Sequence, residues 1–170
     1  MYHLLVLALV VGQASSPAAG HLIIVGGGPM DPAIPRRALA IAGGKQAHVL
    51  VIPQASLLAD SGARSEAMWR EAGATHVAVL DLTDHKAALA KIRQADLIWL
   101  PGGDQCLLMS ALKGHGLIAA IQQRFHDGAT VGGTSAGAAV MSMAMLTAES
   151  KIDRVTGDTT RMAQGLGLWP

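Results

Sequence analysis

The sequence is poor in several residue types, and each shortage excludes something. Asparagine is absent, so the chain has no acceptor for N-linked glycosylation. Cys106 has no second cysteine to pair with, which excludes an internal disulfide and leaves the redox compartment undetermined. Phenylalanine and tyrosine occur once each, which leaves few aromatic rings for stacking on bases or sugars.

Concentrated charge and metal-ligand patterns are also lacking. The formal net charge is +1, and lysine and arginine are scattered along the chain. A nucleic-acid partner requires a concentrated positive surface, so none is predicted. The seven histidines show no H-x-x-x-H or similar spacing, and no phosphate-binding pattern is present. We therefore predict neither a metal nor another cofactor.

No apolar run is long enough to span a membrane as a helix, which takes about 20 residues. The run Leu4–Val11 is eight residues long, and small residues follow it up to Gly20. This order is typical of a secretory signal peptide, with cleavage after Ala14 or Ala19, although no Lys or Arg precedes the run. We predict a signal peptide over residues 1–20 and a secreted or periplasmic protein. The alternatives are an extra buried strand or a mistranslated start, and the protein would be cytoplasmic if the leader is not cleaved.

From residue 21 onward, short apolar runs alternate with helix-like stretches. The runs predict strands over His21–Val25, Ala47–Ile52, His76–Leu80, Leu97–Leu100 and Ala129–Gly132. Helices are predicted over Pro35–Ala42, Ser65–Ala72, a stretch capped by Thr83, two segments split by Gly114 and Gly116, and Ala136–Met145. Uniformly apolar strands separated by helices indicate a parallel sheet covered on both faces. The predicted fold is a three-layer α/β/α domain of flavodoxin-like type over residues 21–170.

The segment Gly133–Gly137 reads Gly-Thr-Ser-Ala-Gly and lies between a predicted strand and a predicted helix. In that context a G-x-S-x-G pattern indicates a nucleophile elbow. The two glycines permit a sharp turn that exposes the Ser135 hydroxyl, and the N–H groups at the helix start favour negative charge. We predict that Ser135 is a nucleophile. The alternative is a glycine-rich turn in which the serine caps the helix.

The segment Pro101–Gln105 follows the neighbouring predicted strand. Acyl transfer needs two N–H donors directed at the oxyanion, and Gly103 and Ala136 are the predicted donors. Gln105 would then face the substrate. The alternative is a tight turn that leads into a helix.

Two other features suggest a dinucleotide site and a thiol nucleophile, but neither matches the pattern that the function requires. Gly26–Gly28 follow the first strand, yet Asp31 takes the place of the last glycine in G-x-G-x-x-G, so a turn bordering the site is predicted. Cys106 lies inside a predicted helix and not on the elbow, so a buried thiol is predicted.

A serine nucleophile also needs a base and an orienting carboxylate. No histidine follows His126, so the triad is incomplete within this chain.

The chain resembles the cyanophycinase branch of the S51 serine peptidases from Leu22 to Pro170. The matching stretches are Ile23–Gly28, Ala42–Gly44, Val51–Pro53, Gly102–Gln105, Gly132–Ser142 and Gly165–Leu168. The Gly-Gly-Asp-Gln stretch and the long Gly-Gly-Thr-Ser-Ala-Gly-Ala stretch carry most of the specificity. The resemblance implies a class I glutamine-amidotransferase-like fold and a Ser–His–acid triad. It also implies hydrolysis of cyanophycin, an aspartate backbone bearing arginine, to β-Asp-Arg dipeptides.

The resemblance also implies roles for individual residues. Ser135 carries over as the nucleophile, and Gly103 and Ala136 as oxyanion donors. Gln105 and Asp104 carry over as substrate contacts. Glu149 is our choice for the acid of the triad, with Asp153 in reserve.

The chain departs from the family pattern at its end. In the family, an Asp-Gln-His-Phe stretch with the catalytic histidine follows Gly-Leu-Gly-Leu, whereas this sequence ends at Pro170. We therefore expect a fragment, incomplete at the C-terminus, that is inactive by itself. The alternatives are a related aspartyl dipeptidase and a non-catalytic binding module without the base. The expected partner is a peptide substrate, with a homodimer as an open option.

Overall fold

The computed structural model describes residues 19–147 and 161–169. Five strands form one parallel sheet: β1 (Leu22–Val25), β2 (His48–Val51), β3 (His76–Val79), β4 (Leu97–Leu100) and β5 (Thr130–Thr134). Their order in the sheet is β1-β5-β4-β2-β3. Consequently the loops that follow β1, β5 and β4 are neighbours at the carboxyl edge, although they are far apart in the sequence.

Helices cover both faces of the sheet. They are α1 (Ala33–Ile41), α2 (Ser61–Glu71), α3 (His85–Gln94), α4 (Gln105–Gly114), α5 (Ile118–His126) and α6 (Ala136–Ala139). The first two pack on one face, and the other four share an apolar cluster on the opposite face. The predicted α/β fold with a parallel sheet between two helical layers is confirmed. No helix of the described residues is both long and apolar enough to cross a membrane.

Strand β4 shows why the sheet has two cores. All four of its residues are buried, because side chains alternate between the two faces and each face is covered. Trp99 belongs to the α1–α2 side and meets Trp69 edge to face, with ring centroids 5.3 Å apart. Ile98 and Leu100 belong to the other cluster. An uninterrupted apolar run is therefore the expected sequence of such a strand.

The predicted cap of α3 was wrong by one residue. Asp84, not Thr83, occupies the extended position before the helix, and its carboxylate accepts a hydrogen bond from the Ala87 N–H at 3.0 Å. Thr83 instead donates its N–H to Asp81 at 2.9 Å. The hydrogen bonds from Thr83 hold the pKa of Asp81 below its usual value.

The predicted helix Ala136–Met145 was also wrong in length, because α6 ends at Ala139. The chain then turns into β6 (Ala144–Leu146), which pairs antiparallel with β7 (Met162–Gln164). The carbonyl of Val140 accepts the N–H of Leu166 at 2.6 Å, so it is not bonded to the next helical turn. Three further carbonyls, those of Met141, Ser142 and Met143, accept N–H groups of Leu168, Gly167 and Gly165. A returning segment therefore replaces the helix.

Candidate active site

Ser135 stands at the turn between β5 and α6, at the carboxyl edge of the sheet. Its φ of 51° makes it the one residue other than glycine with a left-handed φ in the described part of the chain. A positive φ at a residue with a side chain costs on the order of 1–3 kcal/mol and is retained where the surroundings impose it. The side chain is exposed. The strand–turn–helix context that was predicted around this serine is therefore present.

Contacts on both sides hold the turn in place. The Ser135 N–H donates to the Val25 carbonyl of β1 at 3.1 Å, and the Ser135 carbonyl accepts from Ala138 and Ala139 at 3.0 Å. The Thr134 hydroxyl donates to the Gly26 carbonyl at 2.9 Å. A Cβ atom on Gly137 would collide with the Leu100 carbonyl, so the helix start lies directly against β4.

The turn after β4 lies against the serine. A Cβ atom on Gly102 would lie 3.3 Å from the Ser135 Cβ. Gly103 has a φ of 149°, and a Cβ there would collide with the Ala55 carbonyl, so glycine is required. The N–H groups of Gly103 and Ala136 have no hydrogen-bond partner among residues 19–147 and 161–169. Both are therefore available as the oxyanion donors predicted from the sequence.

Asp104 and Gln105, the predicted substrate contacts, are engaged inside the chain. The Asp104 carboxylate caps α4, accepting the N–H groups of Cys106 at 2.7 Å and Leu107 at 3.2 Å. The Gln105 side-chain amide donates to the Leu146 carbonyl of β6 at 2.7 Å. Asp104 thus orients the turn by capping the helix. Gln105 keeps its side-chain oxygen and the second hydrogen of its amide to meet a ligand.

Sequence reasoning missed that a second glutamine secures the same region. The Gln122 amide of α5 donates to the Leu166 carbonyl at 2.8 Å, beside the strand pair β6–β7. Together with Gln105, it ties this pair to two helices. No sequence signal marks such bonds, because their partners lie 41 and 44 residues away.

Cys106 lies in the first turn of α4 and not on the elbow, and it is half-buried against the apolar cluster, so it is less buried than predicted. No histidine or carboxylate of the described residues is hydrogen-bonded to the Ser135 side chain. His48 and His76 begin β2 and β3, and His126 ends α5, all at the opposite edge of the sheet. Glu149 and Asp153 lie outside the described residues. The structure thus brings together the serine and two donors.

The comparisons with known proteins agree on a family. The model of peptidase family S51 matches residues 22–170. A cyanophycinase of Geminocystis herdmanii is 35% identical over 169 residues, covering 95% of this chain and 58% of that protein. A cyanophycinase of Trichormus variabilis is 33% identical over 169 residues, covering 95% and 53%. The chain thus spans about half the length of these curated relatives.

The fold has a counterpart among solved structures. A peptidase from an acI-B1 actinobacterium superposes with a TM-score of 0.67 at 22% identity, covering 90% of this chain and 66% of that one. At this level of identity the likeness establishes the fold. It agrees with the parallel sheet and the two helical layers described above.

Proposed function

The chain belongs to peptidase family S51, and from this we propose that the whole protein cleaves peptide bonds through an acyl-enzyme on Ser135. The observation that carries the proposal is the strained serine beside two free N–H groups. The positive φ of Ser135 costs free energy, and residues that keep such strain are concentrated at functional sites. Two N–H groups without partners among the described residues can donate hydrogen bonds to an anionic oxygen placed between them.

The proposed reaction has two steps. The Ser135 oxygen bonds to the carbonyl carbon, the bond from carbon to nitrogen breaks, and the hydroxyl proton ends on the leaving amine. Water then hydrolyses the ester, which restores the hydroxyl and releases the acid. The N–H groups of Gly103 and Ala136 would stabilise the oxyanion in both steps. Loss of one such donor typically lowers kcat by about 10²–10³.

The proposed substrate is cyanophycin, and the proposed products are β-Asp-Arg dipeptides. Its support is the likeness to two proteins named cyanophycinase, together with the Gly102–Gln105 and Gly132–Ser142 stretches. Within the same family, an aspartyl dipeptidase is the alternative. Glu149 is proposed as the acid, with Asp153 in reserve, and the Gln105 side chain as a substrate contact through its oxygen and its second amide hydrogen.

The test is turnover of cyanophycin by the whole protein as its organism encodes it. Ser135→Ala should lower turnover by more than about 10³-fold, because the nucleophile is gone. Cys106→Ala is the matched control, and it should leave turnover within about twofold because the thiol packs against the apolar cluster and is not on the elbow. The 170-residue chain should release dipeptide at a rate near background, because no histidine follows the elbow to act as the general base. General-base catalysis contributes about 10²–10⁴-fold.

Each other outcome would identify a different error. If Cys106→Ala abolishes turnover and Ser135→Ala does not, the elbow assignment is wrong. Turnover of acidic dipeptides without turnover of cyanophycin would favour the dipeptidase. Release of β-Asp-Arg by the 170-residue chain at the rate of the whole protein would overturn the proposed need for a further histidine.

We further propose that a signal peptide within residues 1–20 is cleaved on export. The support is the apolar run Leu4–Val11 and the small residues that follow it. A mature N-terminus between Ser15 and His21 is expected on sequencing protein secreted by a bacterial host. An intact Met1 on protein recovered from the cytoplasm would contradict this.

A further inference from the structure

Two glycines lie on either side of the Ser135 hydroxyl. A Cβ atom on Gly27 would lie 3.8 Å from the Ser135 Oγ, and one on Gly102 would lie 3.9 Å from it. Because β5 lies between β1 and β4, these two loops reach the serine from opposite sides. The hydroxyl therefore stands in a slot whose two walls, Gly27 and Gly102, carry no side chains.

The sheet register explains why Gly27 reaches the serine. Val25 of β1 lies opposite Thr134 of β5, so the residues that follow each strand leave the sheet together. The Thr134 hydroxyl and the Ser135 N–H then bond to the carbonyls of Gly26 and Val25. These bonds fix the β1 loop against the elbow, so the position of Gly27 is set by the fold.

Among residues 19–147 and 161–169, nothing requires glycine at position 27. Its φ lies outside the left-handed range, unlike that of Gly28. A Cβ there would meet only Ser135, at the distance of ordinary van der Waals contact. Alanine would therefore fit the resting protein without strain. The missing methyl group leaves room beside the Ser135 hydroxyl that no described residue fills.

An attacking oxygen must lie about 3–3.5 Å from the carbonyl carbon, with the acyl group filling the adjacent space. A methyl group on Gly27 would touch the same oxygen and would occupy part of that space. We propose that Gly27 is a specificity-determining residue, which together with Gly102 keeps the slot open for the acyl group of the substrate. This rests on the proposed role of Ser135.

The experiment uses the whole protein with Gly27→Ala and, as its matched control, Gly26→Ala. Gly26 also has a φ outside the left-handed range, and a Cβ there would meet nothing within 4 Å. Two acyl donors are compared: cyanophycin and the small p-nitrophenyl acetate. With the latter, the serine oxygen gains the acetyl group, nitrophenolate leaves, and the hydroxyl proton passes to solvent.

Gly27→Ala should lower kcat/KM for cyanophycin by at least about tenfold and that for p-nitrophenyl acetate by less, since the acetyl group is smaller. Gly26→Ala should leave both values and the melting temperature unchanged. If Gly27→Ala matches the wild type within twofold on cyanophycin, the inference falls while the proposed function stands. A melting temperature lowered by Gly27→Ala alone would assign the glycine to the fold and also overturn it. If the wild-type protein neither turns over cyanophycin nor is acetylated on Ser135, both the proposed function and the inference about Gly27 are wrong.

Discussion

The two edges of the sheet are built in opposite ways. At the carboxyl edge, the loops around Ser135 approach one another through backbone atoms and glycines, and the central residue is strained. At the amino edge, side chains make contacts of their own in addition to those of the backbone. The Asp96 carboxylate accepts the His48 N–H at 2.9 Å and lies 3.3 Å from the Arg124 guanidinium. The His48 and His76 rings stack with centroids 5.1 Å apart.

The difference teaches how one sheet can be both a scaffold and a site. Side chains at the amino edge fill space and satisfy one another, which favours stability. At the carboxyl edge, Gly27 and Gly102 leave space beside Ser135, and the N–H groups of Gly103 and Ala136 have no partner among the described residues, which favours a ligand. A groove of about 270 Å³ does border His48, His76, Arg70 and Lys91, but it lies away from Ser135. We therefore place the chemistry by backbone geometry and not by cavity size.

The largest effect on stability is expected where the backbone approach at the carboxyl edge is tightest. Gly137→Ala would drive a methyl group into the Leu100 carbonyl of β4, and backbone on both sides leaves little room to relax. We expect a loss of about 3 kcal/mol or more in the free energy of unfolding. Denaturant unfolding of the purified variant measures it.

The matching substitution at the amino edge should cost much less. Asp96→Ala removes contacts to His48 and Arg124, but the Asp96 side chain is 37% exposed. Water can therefore hydrogen-bond to the groups that lose the carboxylate. We expect a loss of about 1 kcal/mol. Equal losses for Gly137→Ala and Asp96→Ala would show that the two edges do not differ in the way described.

The sequence predicted the sheet well because buried parallel strands are apolar on both faces. For this reason the run Leu97–Leu100 coincides with β4. The strand–turn–helix around Ser135 could also be predicted, since its glycines mark the turn. The end of α6 could not, because the groups that stop the helix belong to Gly165–Leu168. Thr83 and Asp84 are both good caps, and composition alone does not separate them.

The site was harder to predict than the fold. The proposed donors, Gly103 and Ala136, follow from motifs at strand ends. The approach of the Gly27 backbone to Ser135 depends on strand order, which places β1 beside β5 across more than a hundred residues. The bond from Gln105 to Leu146 likewise depends on where the β6–β7 pair returns. Local patterns identify which residues have chemistry, and the topology decides which of them meet.

The smallest effect concerns the strain at the elbow itself, and its sign is the test. Ser135→Gly should raise the free energy of unfolding by about 1 kcal/mol, because glycine adopts a φ of 51° without the Cβ clash. The gain is less than the whole strain because glycine also loses more backbone entropy on folding. Ser135→Ala is the matched control: it removes the hydroxyl but keeps the Cβ, so its stability should stay within about 1 kcal/mol of the wild type and below that of Ser135→Gly. Both variants should lose the proposed activity, so a rise in stability confined to Ser135→Gly would measure backbone strain alone. If both variants are equally stable, the turn stores no strain at this residue, and the carboxyl edge differs from the amino edge in its open space only.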